Sequence, residues 1–433
     1  MTILTTSGID NTGKTEVTKE IQALIDKAGR LKGTLRITPG TYLVSSLFLR
    51  SNMSLFLEEG AVLLAVLAEE AYPIVDTRVA GIEMPWPAAV LNCNHCQNVT
   101  IGGQGRIDGQ GPYWWNKYWG EDMHGGMRQS YDARGLRWAC DYDCRRVRNV
   151  LVSDSKNIIL REFTSFQSGF WNIHILYSED ILIDNIHILS DHPASPSTDG
   201  IDIDSSCRVE IKNCRLSCND DSISIKSGRD SDGLRVGRPC YDIRIHDCEI
   251  RAGYGITAGS EVSGGIYNID IWNIRFFGTD CGFRIKSALP RKGYVRHIRL
   301  KNLEMINVKY LFHFYLNWNP DYSICSIPAG YTGEIPKHWQ TLTAFTKGKN
   351  TVVEDIEVMN VTAYYQPGYD GISRAFQIEG YADSTIKNIT FKAMNIRCKE
   401  YGVFNYVENI KMDNCNFSCS DKHHPEYDRF DNR

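Results

Sequence analysis

Ile243-Arg-Ile245-His-Asp247, Ile269-Asp-Ile271-Trp-Asn273 and Ile298-Arg-Leu300-Lys-Asn302 repeat one short motif at intervals of 26 and 29 residues. In each copy two β-favouring apolar residues flank a polar one, so a short strand has one apolar face and one polar face. The Asn or Asp that follows two places later suits a sharp corner, because these side chains tolerate left-handed backbone. The motif also occurs as Ile181-Leu-Ile183-Asp-Asn185, Val209-Glu-Ile211-Lys-Asn213 and Ile356-Glu-Val358-Met-Asn360, with echoes at Val99, Ile158, Ile389 and Ile410. Between starts from Ile158 onward the spacings are 23, 28, 34, 26, 29, 58, 33 and 21 residues. A period of this size marks a solenoid, in which each coil buries its apolar face only against the next.

A second alternating strand follows some corners, as in Ser222-Ile-Ser-Ile-Lys226 and Gly282-Phe-Arg-Ile-Lys286. Helical periodicity is confined to Thr15–Ala28, where Val17, Ile21, Leu24 and Ile25 share a face. The pattern therefore predicts an all-β chain: a single right-handed parallel β-helix (β-solenoid) with an N-terminal capping helix. The cap is expected over about residues 1–34, coils over about 35–420, and a tail over about 421–433. Gaps of double length mark two insertions. One lies between Val99 and Ile158 and carries Trp114, Trp115, Trp119, Arg128, Arg134, Arg137, Trp138, Arg145 and Arg146; the other, about 317–350, carries Trp318, His338 and Trp339. Long aromatic and Arg-rich loops on a repetitive scaffold are natural walls for a binding groove.

With 433 residues the chain is long enough for about three ordinary domains, but a solenoid grows by adding coils instead. Its 48 Lys and Arg nearly balance 52 Asp and Glu, net −4, which excludes a nucleic-acid binder acting through bulk positive charge. No stretch reaches the ~18 uninterrupted apolar residues of a membrane span, and the opening residues lack a secretory apolar core. As written, the chain predicts a cytoplasmic protein, or a secreted one if a leader has been removed. The 14 cysteines, several in Asn-Cys or Asp-Cys steps such as Asn213-Cys214 and Asp247-Cys248, are expected to be reduced thiols in a structural slot. Cys93-Asn-His-Cys96 has no second pair at zinc-site spacing, so no metal and no cofactor are expected.

Chemistry-bearing residues fall at matching places in successive coils. Asp199 lies 21 residues before Asp220, close to one coil, so it should stack beside Asp220 or Asp221, with Arg284 and Lys286 two coils further on. Taken singly, an Asp-Gly step is a turn and an Asp-Asp pair a solvated surface. Registry changes this, because three crowded carboxylates raise the pKa of at least one of them and so provide the proton donor that glycoside hydrolysis needs.

The succession Ser197-Thr-Asp-Gly200, Asn219-Asp-Asp-Ser222, Ala252-Gly-Tyr-Gly-Ile-Thr-Ala-Gly-Ser260 and Phe283-Arg-Ile-Lys286 resembles the signature blocks of glycoside hydrolase family 28, the polygalacturonases. Pro39-Gly-Thr-Tyr42, Leu57-Glu-Glu-Gly-Ala61, Ile107-Asp-Gly-Gln-Gly111 and Phe170-Trp-Asn-Ile-His174 extend the resemblance. It implies a metal-independent β-helix enzyme that hydrolyses α-linked galacturonic-acid backbones with inversion. Asp220 matches the family's general acid, Asp199 and Asp221 the pair that holds and deprotonates water, and Arg284 with Lys286 the basic pair that can clamp a uronate carboxylate. Inversion would set acid and base carboxyls roughly 6.5–9.5 Å apart, although a triad blurs that distance.

Two blocks depart from the family pattern. Ser197 replaces Asn, and Tyr254 replaces a His, so the position cannot carry positive charge at neutral pH. The family's later substrate-contacting Tyr falls near Trp318. The loop Ser227–Pro239 resembles an insertion of exo-acting members; Arg229, Arg235 and Arg238, with Glu261, are expected to wall off one end of the groove, and Arg229, Glu261, Tyr254 and Trp318 to touch substrate. The expected partner is a pectic oligosaccharide or polysaccharide, galacturonan or rhamnogalacturonan, cut from its ends; no nucleic acid or membrane is expected, and the oligomeric state is open. A pectic lyase on the same fold and a non-catalytic carbohydrate-binding β-helix are the alternatives.

Overall fold

The computed structural model describes residues 2–420; the expected C-terminal tail lies outside them. The chain has the right-handed parallel β-helix fold. It divides into two compact units, one formed by residues up to Val79, Glu83–Gln129 and Cys144–Asp220, the other by Ala80–Ile82, Ser130–Asp143 and the residues from Asp221 onward.

In the first unit the strands Ile3–Thr5, Thr34–Ile37, Ser54–Leu57, Gln97–Gly102, Lys156–Arg161, Glu179–Asp184 and Cys207–Lys212 pair in parallel, each with the next. Register places Leu35, Leu55, Ile101, Leu160, Ile183 and Ile211 in one column, all without solvent exposure. A second series, Leu47–Phe48, Leu91–Asn94, Val150–Ser153, Ile173–Leu176 and Ile201–Asp204, stacks in the same way. The helix Thr18–Leu31 buries Ile21, Ile25 and Ala28. The coils begin earlier than expected: Ile3–Thr5 and Thr12–Glu16 already pair with Thr34–Ile37 and Gly40–Val44, so the N-terminal stretch supplies strands as well as the helix.

In the second unit the strands Cys240–Ala252, Ile266–Phe277, Tyr294–Ile306, Val352–Tyr364 and Ile386–Cys398 stack Ile243, Ile269, Ile298, Ile356 and Ile389 in a buried column. The series Ile223–Lys226, Ile256–Ala258, Cys281–Lys286, Tyr310–Tyr315, Arg374–Glu379 and Glu400–Asn405 forms its other sheet. The insertions carry short helices: Gly111–Trp119 in the first unit, and Arg137–Asp143, Pro320–Ser323 and Lys337–Thr343 in the second.

The corners lie where the motif predicts. Asn185, Asn213, Asp247, Asn273, Asn302 and Asn360 all have φ of 53–57°. Their side chains form a ladder in the second unit: Asn273 Nδ2 donates to Asp247 Oδ1 at 2.9 Å, Asn302 to Asn273 at 2.9 Å and Asn360 to Asn302 at 2.7 Å. The cysteine after a corner is indeed a structural slot. Cys214 and Cys248 are buried thiols directed at the carbonyls of Lys212 (3.2 Å) and His246 (3.1 Å), and none of the fourteen cysteines is in a disulfide.

Asn302→Ala should cost about 2 kcal/mol, because it loses two hydrogen bonds and forces a Cβ-bearing residue without polar side chain into left-handed backbone. Asn302→Gly loses the same bonds without the strain and should cost about 1 kcal/mol less. Urea denaturation of the two variants checks the order; equal losses would mean the corner conformation contributes nothing.

Candidate active site

In the first unit Asp199 precedes the strand Ile201–Asp204 and is 4% exposed. Its backbone carbonyl accepts hydrogen bonds from Asn172 N (2.9 Å) and Asn172 Nδ2 (3.1 Å), which fixes it against the preceding coil. One coil later Asn219 Nδ2 donates to the carbonyls of Pro193 (3.2 Å) and Ser195 (3.0 Å), and Cys218 Sγ to that of Asp220 (3.3 Å). These ties bring carboxylate oxygens of Asp199 and Asp220 within 4.8 Å of each other, as the coil spacing predicts. That is nearer than the roughly 6.5–9.5 Å expected between acid and base carboxyls for inversion. A water at about 2.7 Å from each oxygen fits such a gap. Asp220 is the half-exposed member of the pair.

The next residue along the chain, Asp221, belongs to the second unit and is fully buried. Its Oδ1 accepts from Arg284 Nη2 and, at 2.8 Å, from Thr257 Oγ1; its Oδ2 accepts from Lys286 Nζ at 2.7 Å. Strand register explains the convergence: Ser224, Thr257, Arg284, His313 and Gln377 are successive partners in stacked strands. Burial alone would push the Asp221 carboxyl up; the charges of Arg284, Lys286 and Lys226 outweigh it and hold the group far below the usual carboxylate range. Asp221 is therefore a fixed anion. A cation could use Asp199 and Asp220, whereas Asp221 is already matched by the protein's own positive groups.

Tyr254 and Trp318 both lie at the basic pair. The Arg284 guanidinium is 4.5 Å from the centre of the Tyr254 ring, and Lys286 Nζ is 4.5 Å from that of Trp318. Tyr254 in turn packs against Cys281, Tyr310 and Ile372. The nearby His313, stacked between Tyr310 and Tyr315, does not replace the missing histidine charge. Burial, and then Arg284, Arg374 and Lys286, push its pKa down to about 3, so it is neutral at working pH.

Arg229 and Glu261 do not line the groove as expected. Arg229 has no solvent exposure and its guanidinium is spent on internal partners, Tyr142 Oη at 2.7 Å and the Tyr322 carbonyl at 2.8 Å among them. Glu261 is 4% exposed. Burial would raise its pKa, but Lys226, Arg291, Lys286 and Arg229 pull it below the ordinary range and make it an internal counter-charge. Arg235 and Arg238 are exposed. Thr257 and Lys226 were missed as site residues, although both stand at the outward positions of alternating strands, Ile256-Thr-Ala258 and Ser224-Ile-Lys226; a single Thr or Lys carries no signal until register is known.

The family model for glycosyl hydrolases family 28 matches residues 77–321. A Vitis vinifera protein named probable polygalacturonase is 31% identical over 315 residues, which cover 69% of this chain and 60% of the relative. An endo-polygalacturonase of Pectobacterium carotovorum is 27% identical, with 67% of this chain and 69% of the relative covered. Among solved structures, an exopolygalacturonase from Thermotoga maritima superimposes with a TM-score of 0.78 at 24% identity over 95% of this chain and 92% of that one.

If the Tyr254 ring serves as a platform for Arg284, Tyr254→Phe should stay within about threefold of wild-type kcat/KM, whereas Tyr254→Ala should lose about tenfold, the value of a partly desolvated cation–π contact. Tyr254→His should add an acid limb below about pH 6.5 to the pH profile, because an imidazole with that ordinary pKa then titrates against Arg284. Loss of activity in Tyr254→Phe as deep as in Tyr254→Ala would assign the role to the hydroxyl.

Proposed function

Since the chain belongs to glycosyl hydrolases family 28, we propose that it hydrolyses α-galacturonosidic linkages in pectic chains, working from chain ends. The observation that carries this reading is the division of labour among three carboxylates: Asp221 pinned as an anion by Arg284 and Lys286, and its neighbour Asp220 half-exposed beside Asp199. In this reading Asp220 gives its proton to the glycosidic oxygen as the C1–O bond breaks. Asp199 and Asp221 orient a water; its oxygen bonds to C1 and its proton passes to Asp199, the carboxylate not pinned by Arg284 and Lys286, and exchange with solvent then removes that proton and returns one to Asp220.

The positive groups have a second task. A galacturonate unit carries a carboxylate, and Arg284 and Lys286, already turned toward Asp221, present a fork and a point charge that suit such an anion. Relatives named polygalacturonases support the substrate class, as does a matched fold solved with two galacturonates. Two matched folds described as exopolygalacturonases support action at chain ends. Fourteen cysteines outside disulfides support a reducing compartment as the place of work.

Asp220→Asn should retain binding of oligogalacturonides and lower hydrolysis by about 10²–10⁴-fold. Unchanged release of reducing sugar by the variant would remove the catalytic role from Asp220, and no release by the wild type would leave the chain a carbohydrate-binding β-helix. Proton NMR of the first product should show the β-anomer, the outcome of inversion at an α-linkage. An unsaturated product absorbing in the ultraviolet would identify a lyase instead.

A further inference from the structure

Four segments that lie far apart in the sequence end on one side chain. The hairpin tip Ala80–Ile82, the insertion segment Ser130–Asp143, the loop following the strand Ile223–Lys226 and the insertion around Tyr322 all belong to the second unit, and all meet at Arg229. Its backbone N–H donates to the Gly81 carbonyl at 2.7 Å. Its Nη1 donates to Tyr142 Oη at 2.7 Å, and that hydroxyl donates onward to the Ala80 carbonyl at 2.9 Å. Its Nη2 reaches the carbonyls of Tyr322 (2.8 Å) and Ser323 (3.3 Å) and Cys325 Sγ (3.1 Å), while Nε bonds Asp230 Oδ2 at 3.2 Å. The Tyr322 ring covers the guanidinium at 4.6 Å. Gly81, at φ 89°, passes so near that a Cβ there would stand 2.5 Å from Arg229 Cβ.

No single one of these segments could hold this arrangement. Each lacks a stacked strand of its own at the meeting point, and loops without such pairing are held by side chains or not at all. A buried guanidinium with five donors can tie several carbonyls at once, and leaving it unpaired would be costly. The cluster also adjoins the chemistry. Asp221 bonds Lys286 at 2.7 Å, Lys286 lies 4.5 Å from the Trp318 ring, and Trp318 packs edge-on against Tyr322 with centroids 5.5 Å apart. The next contact is Arg229 itself. On the Tyr322 side of Trp318 the packing is closed to solvent, with Tyr322 7% and Arg229 0% exposed.

We infer that Arg229 is the positioning residue that sets the mode of cutting: by knotting the four segments it closes the groove beyond Trp318, so that only a chain end is accommodated. The inference rests on the hydrolase reading above and deepens it. Arg229 touches no substrate; it acts through Tyr142, Tyr322 and the hairpin tip.

The test compares the products of wild type, Arg229→Lys and Tyr142→Phe on polygalacturonate, by chromatography and by viscosity loss per reducing end released. Arg229→Lys keeps the charge but cannot reach all partners. Tyr142→Phe breaks the links to Arg229 and Ala80 without a cavity and guards against failure of the first variant to fold, which thermal melting reports. The expected result is wild-type release of single or double units, and a rise of about tenfold in the share of longer products in the variants, as expected when a hydrogen bond to a charged group no longer favours the closed form. Folded variants with the wild-type product spread would overturn the role of Arg229 and leave the end-cutting reading intact. Longer products from wild type itself would overturn both, and that failure is visible before any variant is made.

Discussion

Parallel pairing in register constrains everything else in this chain. The coil strands find their hydrogen-bond partners in the coil before and the coil after, so a residue's neighbours in space are the residues about one coil away in sequence. The apolar columns Leu35 to Ile211 and Ile243 to Ile389 are one consequence. The same rule, applied to the outward positions, sets Arg284 beside Thr257 and brings Asp199 and Asp220 together although 21 residues separate them. The catalytic candidates need no special loop to converge; the stacking that buries isoleucine on one face aligns charge on the other.

Corners are where the constraint is most exacting, and also where the sequence is only half legible. The second corner of each coil is visible because Asn or Asp occupies it from Asn185 to Asn360, and the side-chain ladder explains that choice. The first corner, five residues earlier, is also left-handed, at Asp180, Arg208, Asp242, Asn268, His297 and Asp355. Arg208 holds positive φ without the preference that marks Asn, Asp and His, so residue type does not reveal its corner. Similarly, alternation identified Phe283-Arg-Ile-Lys286 as a strand and hence its two cations as outward. It could not show that Tyr254 and Trp318 would lie across those cations, because an aromatic beyond a corner has no periodicity to read.

Arg229 shows a different limit. As a sequence feature it belongs to a charged loop next to an acidic pair, and exposed arginine in a groove is the ordinary expectation for a polyanionic substrate. Its true surroundings come from segments about 90 residues away on either side, Tyr142 and Tyr322. A solenoid makes neighbours predictable only within its coils. Insertions escape the repeat, and what holds them is chosen pair by pair, from polar side chains that look like surface when read singly.

The two buried ionic clusters then answer each other. At Asp221 one anion faces the charges of Arg284, Lys286 and Lys226, an excess of positive charge that keeps the carboxylate ionised. Beyond Trp318, Arg229 and Arg291 face Asp230, and the buried Glu261 stands in the field of the same arginines and of Lys226 and Lys286. Lys286 thus feels an anion on each side, Asp221 directly and Glu261 through space. A desolvated charge is tolerated only when its surroundings compensate it, and the charges of Arg284, Lys286 and Lys226 do this for Asp221. The cluster at Arg229 and the charge state of Asp221 are therefore linked through Lys226 and Lys286, which act on both Asp221 and Glu261.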